Sequence, residues 1–149
     1  VDYLSMVQVP YSALQRMNEE VIAALRRAGK AVVARGVTGR GAPGKAWATR
    51  PIGMAEGEAR DLWQRAGLDE LLGGMSPIEF MIRFAMANDD VDVALVATTD
   101  NNHLAADIEY ATKGPLDSEL FETACQRLAA AGEGSGQAKY RGGGGTPVL

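Results

Sequence analysis

This sequence has little of what would mark a secreted, membrane-spanning or nucleic-acid-binding chain. Its 149 residues include a single cysteine, Cys125. A lone thiol cannot close an internal disulfide, so a reducing, cytoplasmic location is expected. No stretch reaches the roughly 18 consecutive apolar residues that a bilayer-spanning helix needs. Positive charge is also scarce: 15 Lys and Arg stand against 19 Asp and Glu, for a net charge of −4. That balance offers no general basic field for nucleic acid. The opening stretch, Val1 to Val9, carries neither a basic n-region nor a cleavage pattern. The chain begins without Met, directly on a strand-like run, as expected of a piece of a longer polypeptide. Histidine is nearly missing too, with His103 alone. Cys125 lies within a helix and reads as small core filler, since thiolate catalysis needs a nearby His or positive site.

What is present suffices for one compact domain, with 46% of residues hydrophobic. Leu4 to Val9 reads as a buried strand closed by Pro10. Asn18 is placed to cap a helix whose first turn holds Glu19 and Glu20 and whose last holds Arg26 and Arg27. Val21, Ile22, Leu25 and Ala28 form its apolar stripe, and Gly29 stops it. Ala31 to Ala34 is a second strand. A short helix is expected near Ala59 to Ala66. Ser76-Pro77-Ile78-Glu79 spells a capping box that opens a longer helix with Ile78, Met81, Ile82, Ala85 and Met86 on one face, a core stripe rather than a cofactor box. Val91 to Ala97 is a third strand. Further helices are expected from Asn101 to Thr112, ended by Gly114-Pro115, and over Ser118 to Ala131. Alternating strands and helices predict an α/β fold with parallel strands and right-handed crossovers. Residues 1–132 form the ordered unit. The Gly-rich stretch 133–149 is expected to be a disordered tail.

The most pointed local feature lies between the second strand and the next helix. Gly39 to Lys45 spells G-x-x-x-x-G-K, the outline of a phosphate-cradling P-loop. Several parts of that device are missing. Ala46 supplies no hydroxyl for Mg²⁺, Pro43 removes a backbone donor, and no apolar stripe at helical spacing follows. A loop that grips phosphate differently and a mobile surface loop are the alternatives. The segment from Arg40 to Gly57 is long for a compact domain and has little apolar content, so it is expected to order on ligand binding. Asp89, Asp90 and Asp92 form an acidic turn whose plain reading is solvation rather than metal binding.

Three blocks taken together resemble the C-terminal half of an aldo-keto reductase: VQVPYSALQR on the first strand, VVARGVTGRG on the second, and SPIEFMIRFAMANDDVDVALVATTDNNHLAADI around the third. The resemblance runs from Leu4 to Ala131. It implies a partial (β/α)8 TIM barrel whose strands here are the sixth to eighth. It also implies an NADP(H) or NAD(H) cofactor and a small aldehyde or ketone substrate.

The resemblance further implies which residues meet the cofactor. Gln8 stands where the family hydrogen-bonds the nicotinamide carboxamide, and Arg35 where many members stack an aromatic ring. Gly36, Val37, Thr38 and Arg40 are expected along the pyrophosphate, with Arg40 the best charge partner and Lys45 a weaker one. Thr98, Thr99, His103 and Asp107 match the segment that grips the adenosine and its 2′-phosphate. Ala97 and His103 stand where many members carry Lys and Arg, which implies weak discrimination between NADPH and NADH. The family's Tyr, Lys, Asp and His catalytic set comes from the first half of the barrel. This chain is thus expected to hold no catalytic residue, no metal, and no activity by itself. Its expected partners are the missing N-terminal half-barrel or a second copy. The alternatives are a non-catalytic half-barrel acting by association and, more remotely, a P-loop nucleotide-binding module.

Overall fold

The computed structural model describes residues 3–44, 54 and 57–134. Most of the segment after Arg40, including Lys45, and nearly all of the Gly-rich stretch lie outside the described residues. Strand β1 (Met6–Pro10) leads to helix α1 (Glu19–Arg27) and strand β2 (Ala31–Arg35). A kinked 3-10 turn, Gly39–Gly44, precedes α2 (Glu58–Arg65), a second 3-10 turn at Leu68–Leu71, and α3 (Pro77–Met86). The chain then makes β3 (Val93–Ala94), α4 (Asn101–Thr112) and α5 (Ser118–Ala130). The strands lie side by side in the order β1-β2-β3 and both pairings are parallel. Among the described residues, no helix is long and apolar enough to cross a membrane.

The period-two rule sorts the sheet into two unlike faces. Val9, Val32 and Ala34 point toward the helices and are buried. By register, Met6, Gln8, Val33, Arg35 and Val93 share the other face. There Met6 is 58% exposed and Val93 49%, with Leu95 beyond them at 44%. Parallel sheets are ordinarily covered on both sides, and the described residues cover this one on one side.

The covered side holds an aromatic cluster that ties four segments together. The Phe84 ring of α3 lies 4.9 Å from Phe121 of α5, 6.1 Å from Tyr11 beyond β1, and 6.2 Å from Phe80. Phe80 in turn meets Trp63 of α2 edge-on at 5.8 Å. Trp63 satisfies its indole N–H on Asp69 Oδ1 at 2.8 Å. The expected α3 stripe is the core here: Met81, Ile82 and Ala85 are buried, with Ile78 and Met86 packed against them.

Several elements depart from the sequence-based expectation, each for a local reason. Pro10 continues β1 rather than closing it. It pairs with Arg35, while the next donor, Tyr11 N–H, bonds the Arg35 carbonyl at 3.1 Å, so the ring's missing N–H falls on the open edge. β3 shrinks to Val93–Ala94, extended by bonds from Asp92 N–H to Val32 O and Leu95 N–H to Ala34 O, because β2 ends at Arg35 and offers nothing further. Asn18 sits at the start of α1 but makes no side-chain cap; its Nδ2 instead donates to Pro10 O at 2.8 Å. Of the α1 stripe, Ile22 is buried whereas Val21 is 49% exposed and Ala28 is also exposed. The capping box is half made. Ser76 Oγ accepts from Glu79 N–H at 3.1 Å, but the Glu79 carboxylate turns to Arg83 at 3.2 Å and Lys113 at 3.1 Å. Asp92 is not merely solvated: it accepts from Val32 N–H at 2.8 Å and Arg26 at 2.6 Å, and these donors hold its carboxyl below the usual range.

One buried ion pair fastens the end of the described chain. Arg16, with its side chain 8% exposed, bonds both carboxylate oxygens of Glu19 at 2.8 and 2.9 Å. Its Nη1 donates to the carbonyls of Cys125 and Glu133, and its backbone N–H to Glu133 Oε1 at 2.9 Å. Glu133, the first residue of the stretch expected to be free, is thus held down. Burial pushes the neighbouring Cys125 thiol up to about 11, which leaves it an inert half-buried filler.

Candidate functional site

The loops after β2 and β3 enclose a cleft of about 620 Å³. Thr38, Arg40 and Gly41 come from the first loop, and Ala97 and Thr98 from the second. Ser76, Pro77 and Ile78 supply the start of α3, and His103, Ala106, Asp107 and Tyr110 one face of α4. All of these lie at or beyond the carboxyl ends of the parallel strands, where open crevices of α/β sheets and barrels form.

The first wall is shaped by backbone that only a glycine-rich sequence adopts readily. Gly39 N–H bonds Gly36 O at 2.9 Å and Gly41 N–H bonds Thr38 O at 3.0 Å, two successive tight turns. Gly39 and Gly41 both have positive φ, and Arg40 between them does too, at φ 61°, ψ 28°. A non-glycine residue held there costs about 1 kcal/mol or more, a form of strain that gathers at binding sites. The fold accepts this strain and sets Arg40 on the cleft wall.

The second wall is the start of α4. Asp100 caps it, with Oδ1 accepting from Asn102 N–H at 2.8 Å and His103 N–H at 3.4 Å. Asp100 Oδ2 lies 4.0 Å from His103 Nε2. Thr98 Oγ1 accepts from Asp100 N–H at 3.1 Å. One turn on, Asp107 is 9% exposed. Burial raises its carboxyl above the ordinary range, and His103 opposes the rise. Tyr110 completes the face, with Lys113 Nζ 5.4 Å from its ring centroid. Among the described residues, no group of three or more His, Cys, Asp or Glu side chains could hold a metal ion.

Of the residues expected to touch a cofactor, the cleft gathers Thr38, Arg40, Thr98, His103 and Asp107. Gln8 and Arg35 stand apart, on the uncovered face of the sheet. The Val37 side chain is buried in the core, so only its backbone can face a ligand. Gly36 and Thr99 lie in the same two loops but outside the lining. Sequence reasoning passed over Ser76, Pro77, Ile78, Ala106 and Tyr110. A signal for two of them was available: 103, 106, 107 and 110 follow the i, i+3, i+4, i+7 spacing of one helix face.

Comparison with known proteins bears on the family and the fold. The model of the Aldo/keto reductase family matches residues 2–127. Among solved structures, the holo form of the aldo-keto reductase AKR11C1 from Bacillus halodurans is similar at 21% identity and a TM-score of 0.69, covering 94% of this chain and 46% of that one. The apo form of the same protein gives 22% identity and a TM-score of 0.68, covering 93% and 47%. No curated protein matches the chain. The chain thus spans about half the length of the solved structures it matches, and its three parallel strands are part of a TIM barrel.

Proposed function

Because this chain belongs to the aldo/keto reductase family, we propose that it forms the cofactor-binding, C-terminal half of a (β/α)8 oxidoreductase that reduces aldehydes or ketones with NADPH or NADH. The observation that carries this reading is the cleft, where the loops after β2 and β3 meet in one volume. Arg40 and the glycine-flanked turn would receive the pyrophosphate, whose charge suits a guanidinium and close backbone approach. His103 and Asp107 would lie at the adenosine end. Gln8 and Arg35, on the uncovered sheet face, would meet the nicotinamide once that face is enclosed. The bound cofactor supplies the hydride; this chain's own residues bind and orient it.

The proton donor would come from the other half. Tyr11 is fully buried and donates to Glu19 Oε1 at 3.2 Å. Burial first, and then the Glu19 charge, push its phenol far above the ordinary range, so it is not placed to act as an acid. Replacing Arg40 with Ala tests the cleft reading. A charge-assisted hydrogen bond is worth about 1.5–3 kcal/mol, and an exposed side chain belongs at the low end. NADH and NADPH are therefore both expected to bind about tenfold more weakly. Titrations that show unchanged affinity for both would remove Arg40 from the site.

Among the described residues, one face of the sheet and the outer side of α4 also await cover. Besides Met6, Val93 and Leu95, the outer face of α4 exposes Leu104 at 44% and Ile108 at 57%. An apolar surface spread over strand edges and a neighbouring helix is what a missing half-barrel, or a second copy, would bury. Sedimentation of the chain alone is expected to show association or loss of cooperative unfolding. A folded, cooperative monomer of 15.8 kDa would count against this assembly.

A further inference from the structure

Four arginines among the described residues are at least partly buried: Arg16, Arg35, Arg83 and Arg127. Three of them meet a carboxylate, Arg16 on Glu19, Arg83 on Glu79 and Arg127 on Glu70. Arg35 is the exception. Among the described residues, no carboxylate pairs with its guanidinium and no carbonyl accepts from it. It ends β2, where Val32 and Ala34 are buried against the helices and Ala31, Val33 and Arg35 alternate onto the uncovered face. Register sets Pro10 of β1 opposite Arg35, and Leu95 continues β3 on its other flank. Met6, Val33 and Val93 share that face, so Arg35 is the one charged strand residue on an otherwise apolar and amide-bearing floor. A guanidinium stays charged at any ordinary pH. Closing the barrel over this face would draw it further from water, which is costly without a counter-charge.

Resting on the reductase reading above, we infer that the counter-charge is carried by the substrate: Arg35 grips an anionic group, and the enzyme's substrates are carbonyl compounds that bear a carboxylate. The cofactor's own anions are met elsewhere, since Arg35 lies outside the cleft that Arg40 lines. Its place at the carboxyl end of the middle strand is the mouth of the barrel, where such folds hold their substrates. A carbonyl carbon must also come within about 3–3.5 Å of the nicotinamide to react, and Arg35 is set beside that ring. The planar fork suits a carboxylate bidentately, and the apolar floor around it suits the rest of a small organic acid. The carboxylate is a spectator: the carbonyl carbon accepts hydride from the reduced nicotinamide, its oxygen accepts a proton, and the product is the hydroxy acid. Arg35 thus fixes specificity and orientation and moves no proton.

The test compares para-carboxybenzaldehyde with para-formylbenzamide, an uncharged aldehyde of nearly the same shape, in steady-state reduction by the assembled barrel with NADH and with NADPH. kcat/KM is expected to favour the carboxylate by about tenfold or more, chiefly through KM, the scale of one charge-assisted hydrogen bond. Arg35→Met keeps the length of the side chain without its charge and should bring that ratio near one. Arg35→Lys should keep part of it, because an ammonium lacks the fork. The ratio cancels any change common to both aldehydes, such as a shift in how the cofactor is seated. A ratio near one in the unaltered protein overturns the inference and leaves the reductase standing. A carboxylate preference that Arg35→Met leaves intact overturns the assignment to Arg35, whose partner is then a carboxylate of the other half-barrel or the nicotinamide itself. Reduction of no aldehyde, charged or neutral, overturns the reductase reading and the inference with it.

Discussion

Phe84→Ala is expected to cost about 3–5 kcal/mol of stability, the usual range for deleting a buried aromatic ring. The site cannot easily collapse. The ring is fully buried and is held at 4.9 to 6.2 Å centroid distance from Phe121, Tyr11 and Phe80, which come from different segments. Those segments are also fixed by other bonds. Tyr11 is tied to Glu19, and the start of α5 is capped by Asp117, whose carboxylate accepts from Leu120 N–H at 2.8 Å. A cavity should therefore persist, and the loss should sit at the upper end. Phe84→Leu, which keeps most of the volume, should cost distinctly less. Urea unfolding followed by tryptophan fluorescence measures both. A loss below about 1 kcal/mol for Phe84→Ala would mean the aromatic cluster does not hold the helices together.

Arg16→Ala is expected to cost a comparable amount, by different physics. Its guanidinium is buried and makes a two-pronged pair with Glu19, and removing one partner of such a pair costs about 3–5 kcal/mol because the other charge is stranded. Two further groups lose their partner as well, the carbonyls of Cys125 and Glu133. Arg16→Lys keeps the charge but not the planar fork. It should therefore retain only part of the stability, and Glu19→Gln should fall between wild type and Arg16→Ala. If Arg16→Lys matched wild type, point charge rather than geometry would be what matters.

Much of this architecture was legible in the sequence because its signals are local. The order of strands and helices follows from periodicity and from Gly29, Ser76 and Pro77. The α3 stripe went where its spacing directs. The signals misread were those whose side chains are used at long range. Asn18 and Glu79 carry capping chemistry, yet Pro10 and Lys113 claim them, and no local pattern reveals a partner 8 or 34 residues away. Asp92 read as part of a solvated acidic turn because Val32 and Arg26 are its neighbours only once β3 lies beside β2. Leu104 and Ile108 have helical spacing and still face outward, since the surface they suit is not supplied by the described residues. At the cleft, the loop residues were legible through the family resemblance. The start of α3 was not, because its approach to the loop after β2 is a matter of packing alone.

The clasp of Arg16 on Glu133 has a kinetic consequence. It joins residues 117 positions apart, so nearly the whole described chain must be in place before it can form. Loop-closure entropy and high contact order both delay such a contact until after the rate-limiting step of folding. An interaction absent from that step leaves the folding rate almost untouched and acts on the reverse reaction. The clasp is then a brake on opening: weakening it shortens the lifetime of the native state while the chain reaches that state as quickly as before.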